Sequence, residues 1–152
     1  SNITFLTPQY NGVLLFTRPM HSSEWSSILF NFYTNSKKAI YRKGEKGIIG
    51  IECGVSEKMI YLEFSDNGIG IPEEYEERIF DEFFTTTSAM NYEDIDSVNA
   101  VLGTGLGLKI VKDIVESYKG RIFVTSPKNQ FNTCIRVEIP MLDDKDFEKY
   151  GL

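Results

Sequence analysis

The chain has 152 residues, 41% of them apolar and 13% aromatic, enough to bury one core without disulfide or metal staples. A charged fraction of 25% with a net charge of −6 gives a mixed-sign surface without a cationic field, which argues against nucleic acid as a partner. No apolar run reaches the length of a membrane helix, and the start, Ser1-Asn2-Ile3, has neither a basic n-region nor an apolar h-region, so a single domain with no direct membrane contact in a cytoplasmic setting is expected.

In chain order, residues 3–6 and 13–17 read as short strands separated by a turn-prone stretch from Pro8 to Gly12. A helix follows, with Ser22 or Ser23 as N-cap and Glu24 in the first turn; Trp25, Ile28, Leu29, Phe32, Ser36, Ala39 and Ile40 form its apolar stripe. It is expected to run to about Arg42 and stop at Gly44. Residues 48–55 and 59–66 alternate as strands and, joined by Ser56-Glu57-Lys58, predict an antiparallel hairpin. Pro72 with Glu73, Glu74, Glu76 and Glu77 predicts an acidic helix ending near Phe80. Residues 85–102 are polar and weakly periodic and read as a long mobile loop. Leu106, Leu108, Ile110, Val111, Ile114, Val115 and Tyr118 have helical spacing, closed by Gly120; residues 121–126 and 133–140 complete the strands, and the chain from Asp143 onward is a docked helix or a frayed tail. Cys53 and Cys134 have no CxxC spacing and are expected as reduced residues within strands. The order predicts a two-layer α/β (α+β) sandwich, a mixed sheet covered on one face by helices.

Three stretches carry chemistry. Period-2 alternation places Ile60, Leu62, Phe64 and Asp66 on one face, so a carboxylate stands where the core ends. The glycines of Asn67-Gly68-Ile69-Gly70-Ile71 allow close approach to the backbone beside it. Such a carboxylate at the mouth of an apolar pocket suits an exocyclic amine, although the same residues taken alone read more readily as an ordinary turn. Gly103-Thr104-Gly105-Leu106-Gly107-Leu108 leads into a helix N-terminus, where backbone N–H groups can cradle phosphate. It lacks the Gly-Lys-Ser/Thr of a Walker A loop, and Leu108 stands where a dinucleotide fingerprint has its third glycine. Asn31, Asn35 and Lys38 share one helical face. That is either a solvated stripe or an amide ligand for Mg²⁺ with a lysine for phosphate.

Taken together, the stretches resemble the ATP-binding domains of the GHKL superfamily, and within it the catalytic domain of sensor histidine kinases. Residues 28–40 (ILFNFYTNSKKAI) are similar to the N box, 66–71 (DNGIGI) to the G1 box, 78–84 (RIFDEFF) to the F box and 103–108 (GTGLGL) to the G2 box. The resemblance implies a Bergerat-type, mainly antiparallel sheet and ATP and Mg²⁺ as ligands. It assigns Asp66 to the adenine amine, Asn35 to the metal, and Asn31 and Lys38 to support of metal and phosphates. Gly68, Gly70 and Ile71 would shape the adenine pocket, and Phe80, Phe83 and Phe84 would anchor a lid formed by residues 85–102. Gly103, Thr104, Gly105, Leu106, Gly107 and Leu108 would border the phosphates.

Hydrolytic members of the superfamily typically carry a glutamate four residues before the metal-binding asparagine. Asn31 holds that position here, and an amide cannot activate water as a general base, so transfer to a partner is favoured over hydrolysis. The sole histidine, His21, precedes a helix start and reads as a surface or capping residue. The implied partners are therefore a histidine-containing dimerisation domain of the same full-length protein and a response regulator, with this domain itself a monomer. The second reading is a stand-alone ATPase or nucleotide-gated interaction module. Two departures from the family pattern are Thr87, where many members have lysine, and Asn129-Gln130-Phe131-Asn132-Thr133, where a glycine-rich turn is common; the latter is expected to affect loop geometry only.

Overall fold

A computed structural model of the chain describes residues 2–11, 20–82, 84 and 107–151. The expectations for 13–17, Phe83, 85–102 and 103–106 fall outside the described residues. Among the described residues six strands form one sheet: β1 (Ile3–Phe5), β2 (Gln9–Asn11), β3 (Gly47–Ser56), β4 (Met59–Asp66), β5 (Arg121–Thr125) and β6 (Thr133–Pro140). The order is β1-β3-β4-β6-β5, with β2 on the same edge of β3 as β1. β1 and β2 run parallel to β3 and every other pairing is antiparallel. Among the described residues three helices accompany the sheet: α1 (Ser22–Lys43), α2 (Gly107–Ser117) and α3 (Asp144–Tyr150). The expected mixed, mainly antiparallel two-layer sandwich is the observed fold.

Period-2 alternation sorts the central strands. Ile49 of β3, Ile60 and Phe64 of β4, and Ile135, Val137 and Ile139 of β6 are buried against Ile28, Phe32 and Ile40 of α1 and Val111 and Val115 of α2. The opposite face carries charge. Arg136 stacks 4.0 Å over Tyr61 and bonds Glu63 and Glu138, while Lys128 adds to Glu63, Arg121 to Glu138, and Tyr61 Oη donates to Glu52. Cross-strand pairing of opposite charges on neighbouring strands keeps the nearly buried Glu63 and Glu138 satisfied.

Several local expectations are corrected. The stretch read as a turn contains β2: from Phe5↔Ile49 to Gln9↔Glu52 the edge advances one residue more than β3, and Pro8, which has no N–H to donate, sits in that bulge. His21, not Ser22 or Ser23, is the N-cap of α1. Its carbonyl accepts from Glu24 N–H and its own N–H donates to the Glu24 carboxylate, and Tyr118 Oη donates to that same carboxylate, tying the start of α1 to the end of α2. Leu29 and Ile110, read as core, are 38% and 43% exposed. The acidic helix resolves into two single 3₁₀ turns, Glu73–Tyr75 and Arg78–Phe80, because glutamates at i, i+3 and i+4 repel along a continuous helix. At the end of α2 the left-handed residue is Lys119 (φ 59°), whereas Gly120 is required because a Cβ there would run into the Glu138 carbonyl. The hairpin and the stop of α1 at Gly44 (φ 76°) stand as expected. Cys53 and Cys134 are free thiols in β3 and β6, where burial raises their pKa.

Candidate active site

A cavity of about 320 Å³ opens between α1, the end of β4 and the start of α2, within the size range of small-molecule sites. Helix α1 contributes one wall with Asn31, Asn35, Lys38 and Arg42; Gly70 and Ile71 contribute a second, and Gly107 and Leu108 a third. This follows from the helical period: the buried stripe Ile28, Phe32, Ser36 and Ile40 faces the sheet, and the polar stripe one position away faces the cavity.

Among the described residues lining this cavity Asp66 is the one carboxylate, and it is 4% exposed. It sits at the C-terminal end of β4, where the apolar alternation of that strand runs out. Ser36 Oγ donates to its Oδ2 at 2.6 Å, and Gly68 N–H donates to its Oδ1 at 2.8 Å. Burial pushes its pKa up, opposed by these two hydrogen bonds. Each oxygen keeps a further lone pair, so the carboxylate can still accept from a donor in the cavity.

The turn after Asp66 is held on three sides. Asn67 fastens it to β3, accepting from Ile48 N–H at 2.7 Å and donating to Lys46 O at 2.9 Å. On the α1 side, Ile69 N–H donates to Ala39 O at 3.2 Å, and Gly68 packs so tightly that a Cβ would lie 2.6 Å from Ala39. From the β5–β6 connection, the Asn132 backbone N–H donates to Asp66 O at 2.8 Å, and its side-chain amide donates to Asn67 O and Gly68 O at 3.1 and 2.8 Å.

The phosphate-facing candidates are also brought together. Asn31 Nδ2 donates back to Ser27 O at 2.7 Å, leaving Oδ1 directed at α2, 2.7 Å from where a Gly107 Cβ would stand. The backbone at the start of α2 therefore approaches α1 closely because residue 107 is glycine. Burial, and secondarily the neighbouring Arg42 charge, lowers the Lys38 pKa; an anion between them would relieve both effects. No cluster of three or more His, Cys, Asp or Glu exists among the described residues, so no all-protein metal cage is formed there. An amide such as that of Asn35 fits instead a hard cation that keeps water and phosphate oxygens as its other ligands.

Of the expected site residues, Asn31, Asn35, Lys38, Asp66, Gly70, Ile71, Phe84, Gly107 and Leu108 line the cavity. Gly68 lies behind the wall, between Asp66 and α1. Phe80, expected to anchor the lid, is 5% exposed within the apolar cluster, and its neighbour Ile79 lines the cavity. Phe84 is held by Tyr75, with ring centroids 5.4 Å apart, and by Arg78, 4.7 Å from its ring. Sequence reasoning missed Ser36, Thr133 and Asn132. Ser36 had a signal, a hydroxyl in an otherwise apolar buried stripe; Asn132 had none, and its expected role in loop geometry alone gives way to direct bonds with the Asp66 turn.

Comparison with known proteins agrees with this arrangement. Residues 21–143 match the family model described as histidine kinase-, DNA gyrase B- and HSP90-like ATPase. The chain is 35% identical over 130 residues to the sensor protein kinase WalK of Staphylococcus haemolyticus, covering 82% of this chain and 19% of that protein. It is 33% identical to WalK of Staphylococcus aureus, covering 28% of that sequence. Among solved structures, the catalytic domain of histidine kinase ThkA superposes with a TM-score of 0.59 at 25% identity, covering 88% of this chain and 80% of that one. The mycobacterial sensor histidine kinase MprB shares the fold, with a TM-score of 0.60 at 23% identity and coverage of 88% and 82%. The chain thus spans about a fifth of the length of its first full-length relative. With the cavity, the buried carboxylate and a family match over most of its length, the chain belongs to the histidine kinase-, DNA gyrase B- and HSP90-like ATPases.

Proposed function

We propose that this chain is the ATP-binding catalytic domain of a two-component sensor histidine kinase, binding Mg·ATP and giving its γ-phosphate to a histidine on the protein's dimerisation domain, from which a response regulator takes it. The observation that carries the reading is Asp66: a buried carboxylate on the wall of an apolar-floored cavity, with lone pairs left for a donor such as the adenine amine. Gly70 and Ile71 would flank the base, Lys38 and the backbone at the start of α2 would face the phosphates, and Asn35 would hold the metal. Bound Mg²⁺ would neutralise phosphate charge; positioning and charge compensation are the main contributions a protein makes to phosphoryl transfer.

Two features favour transfer over hydrolysis. Asn31 spends its N–H₂ on the Ser27 carbonyl and offers no group able to take a proton from water. His21, the chain's single histidine, is the exposed N-cap of α1, ten residues and so about 15 Å of helix from Asn31, which supports an acceptor outside these residues. In the transfer, the bond from the γ-phosphorus to its bridging oxygen breaks as one to an imidazole nitrogen forms, and ADP leaves.

The test has two arms. The domain should show a thermal shift with ATP that requires Mg²⁺ and is lost in Asp66→Asn. The full-length protein should label itself from γ-labelled ATP with the acid-labile, base-stable behaviour of phosphohistidine. Absence of a shift in the parent domain would refute nucleotide binding, and a shift without labelling would leave the nucleotide-gated module as the function.

A further inference from the structure

We infer that Asn132, on the connection between β5 and β6, is a positioning residue for purine recognition, setting the place of the Asp66 carboxylate and of the Gly68 amide that braces it. The inference rests on the nucleotide-binding reading above and concerns which atoms of the base the site selects.

Asp66, Asn67 and Gly68 each present a C=O toward the β5–β6 connection, and all three accept from this one residue: Asp66 O from its backbone N–H at 2.8 Å, Asn67 O and Gly68 O from its side-chain amide at 3.1 and 2.8 Å. The orientation of the amide is dictated by its surroundings. With two carbonyls on one side, only the NH₂ end can face them; the reverse orientation would set oxygen against oxygen.

On the other side of the turn there is no slack, because Gly68 already abuts the backbone and Cβ of Ala39. Gly68 is thus clamped between α1 and Asn132, and its N–H is delivered to Asp66 Oδ1 at 2.8 Å. Releasing the Asn132 side of the clamp lets Gly68 drift away from α1, the one direction open to it. Asp66 Oδ1 then loses a donor, and the carboxylate is free to turn about Cα–Cβ with Ser36 alone holding Oδ2. A donor in the cavity would then meet a carboxylate no longer fixed in place, and hydrogen bonds weaken steeply with misalignment.

A positioning role and a merely structural one differ in what they change. Only the part of the ligand that donates to Asp66 should feel the change. The test compares Mg·ATP with the Mg²⁺ complex of purine riboside triphosphate, which carries hydrogen in place of the 6-amine, by calorimetry on the parent domain, Asn132→Ala and the near-isosteric Asn132→Asp. The parent should prefer ATP. In Asn132→Ala, ATP affinity should fall about tenfold, the loss of one or two hydrogen bonds' worth of net alignment, while affinity for the 6-H analogue changes by less than about twofold on the same reasoning. Asn132→Asp, which sets acceptor against acceptor, should lose at least as much as Asn132→Ala.

Unchanged ATP affinity in Asn132→Ala would overturn the inference. So would an equal loss for both nucleotides, or failure of both variants to fold, each of which makes Asn132 a residue of the fold rather than of recognition. A parent domain that binds neither nucleotide refutes the nucleotide-binding reading itself, a distinguishable result.

Discussion

Replacing Gly68 by alanine probes the tightest contact in the site. A Cβ at this position would lie 2.6 Å from the carbonyl carbon of Ala39, 2.6 Å from the Ala39 Cβ and 2.9 Å from Asp66 Oδ1. None of the first two atoms belongs to a flexible side chain, so either α1 or the whole turn must shift. Overpacking of this kind costs about 1–3 kcal/mol, and a strained Gly68 N–H to Asp66 bond adds on the order of 1 kcal/mol. For a domain of this size a loss of about 2–4 kcal/mol lowers the melting temperature by roughly 4–16 °C. ATP affinity should fall by at least about tenfold, since each 1.4 kcal/mol of lost alignment is a factor of ten. Gly44→Ala is the control: its φ of 76° makes alanine unfavourable, yet nothing stands within 4 Å of the added Cβ, so stability should drop by about 1 kcal/mol with ATP affinity unchanged. Calorimetry and thermal unfolding on both variants decide the matter. A Gly68→Ala protein that melts with the parent and binds ATP equally well would show that the turn is not clamped against α1.

Because burial raises the folded-state pKa of Asp66, ionising it opposes folding: the folded state takes up the proton first, and stability falls as pH rises from the unfolded aspartate range through the raised value. Asp66→Asn should therefore gain stability relative to the parent on going from about pH 4 to pH 7, and a variant that instead loses stability relative to the parent over that interval contradicts the burial argument. The β3–β4 turn places Glu57 and Lys58 at φ 51° and 64°, the type I′ geometry that favours glycine second; Lys58→Gly should raise stability by about 0.5–1 kcal/mol in chemical denaturation. Arg136→Met removes the shared partner of the nearly buried Glu63 and Glu138 and should cost about 2–3 kcal/mol, below the range for a fully broken buried pair because Lys128 and Arg121 remain; ATP affinity should not move. Steady ATP turnover by the isolated domain should stay at background, and turnover that disappears in Asn31→Ala would refute the assignment of Asn31 as a non-base.

The central strands were legible because burial of one face imposes a strict alternation: β4 and β6 lie at 59–66 and 133–140 as read. The stop of α1 was legible from Gly44, whose αL conformation few other residues adopt without cost. What escaped was decided by partners distant in sequence. Residues 9–11 form a strand because β3 offers them a free edge, not because Gln-Tyr-Asn favours extension. His21 caps α1 with help from Glu24, which is itself held by Tyr118. In the site, Asp66 and the flanking glycines were visible as residue types, but Ser36 and Asn132 acquire their meaning only when α1 and the β5–β6 connection converge on one turn.

Helix α1 carries core and cavity on interleaved stripes, Ile28, Phe32, Ser36 and Ile40 on one, Asn31, Asn35, Lys38 and Arg42 on the other. A single inserted or deleted residue within it would rotate everything beyond by about 100°, trading side chains between sheet and ligand. Such a length change has no partial outcome: folding and nucleotide contact would be lost together. Point substitutions on either stripe act one side chain at a time, but between residues 22 and 43 the spacing itself is the inherited quantity.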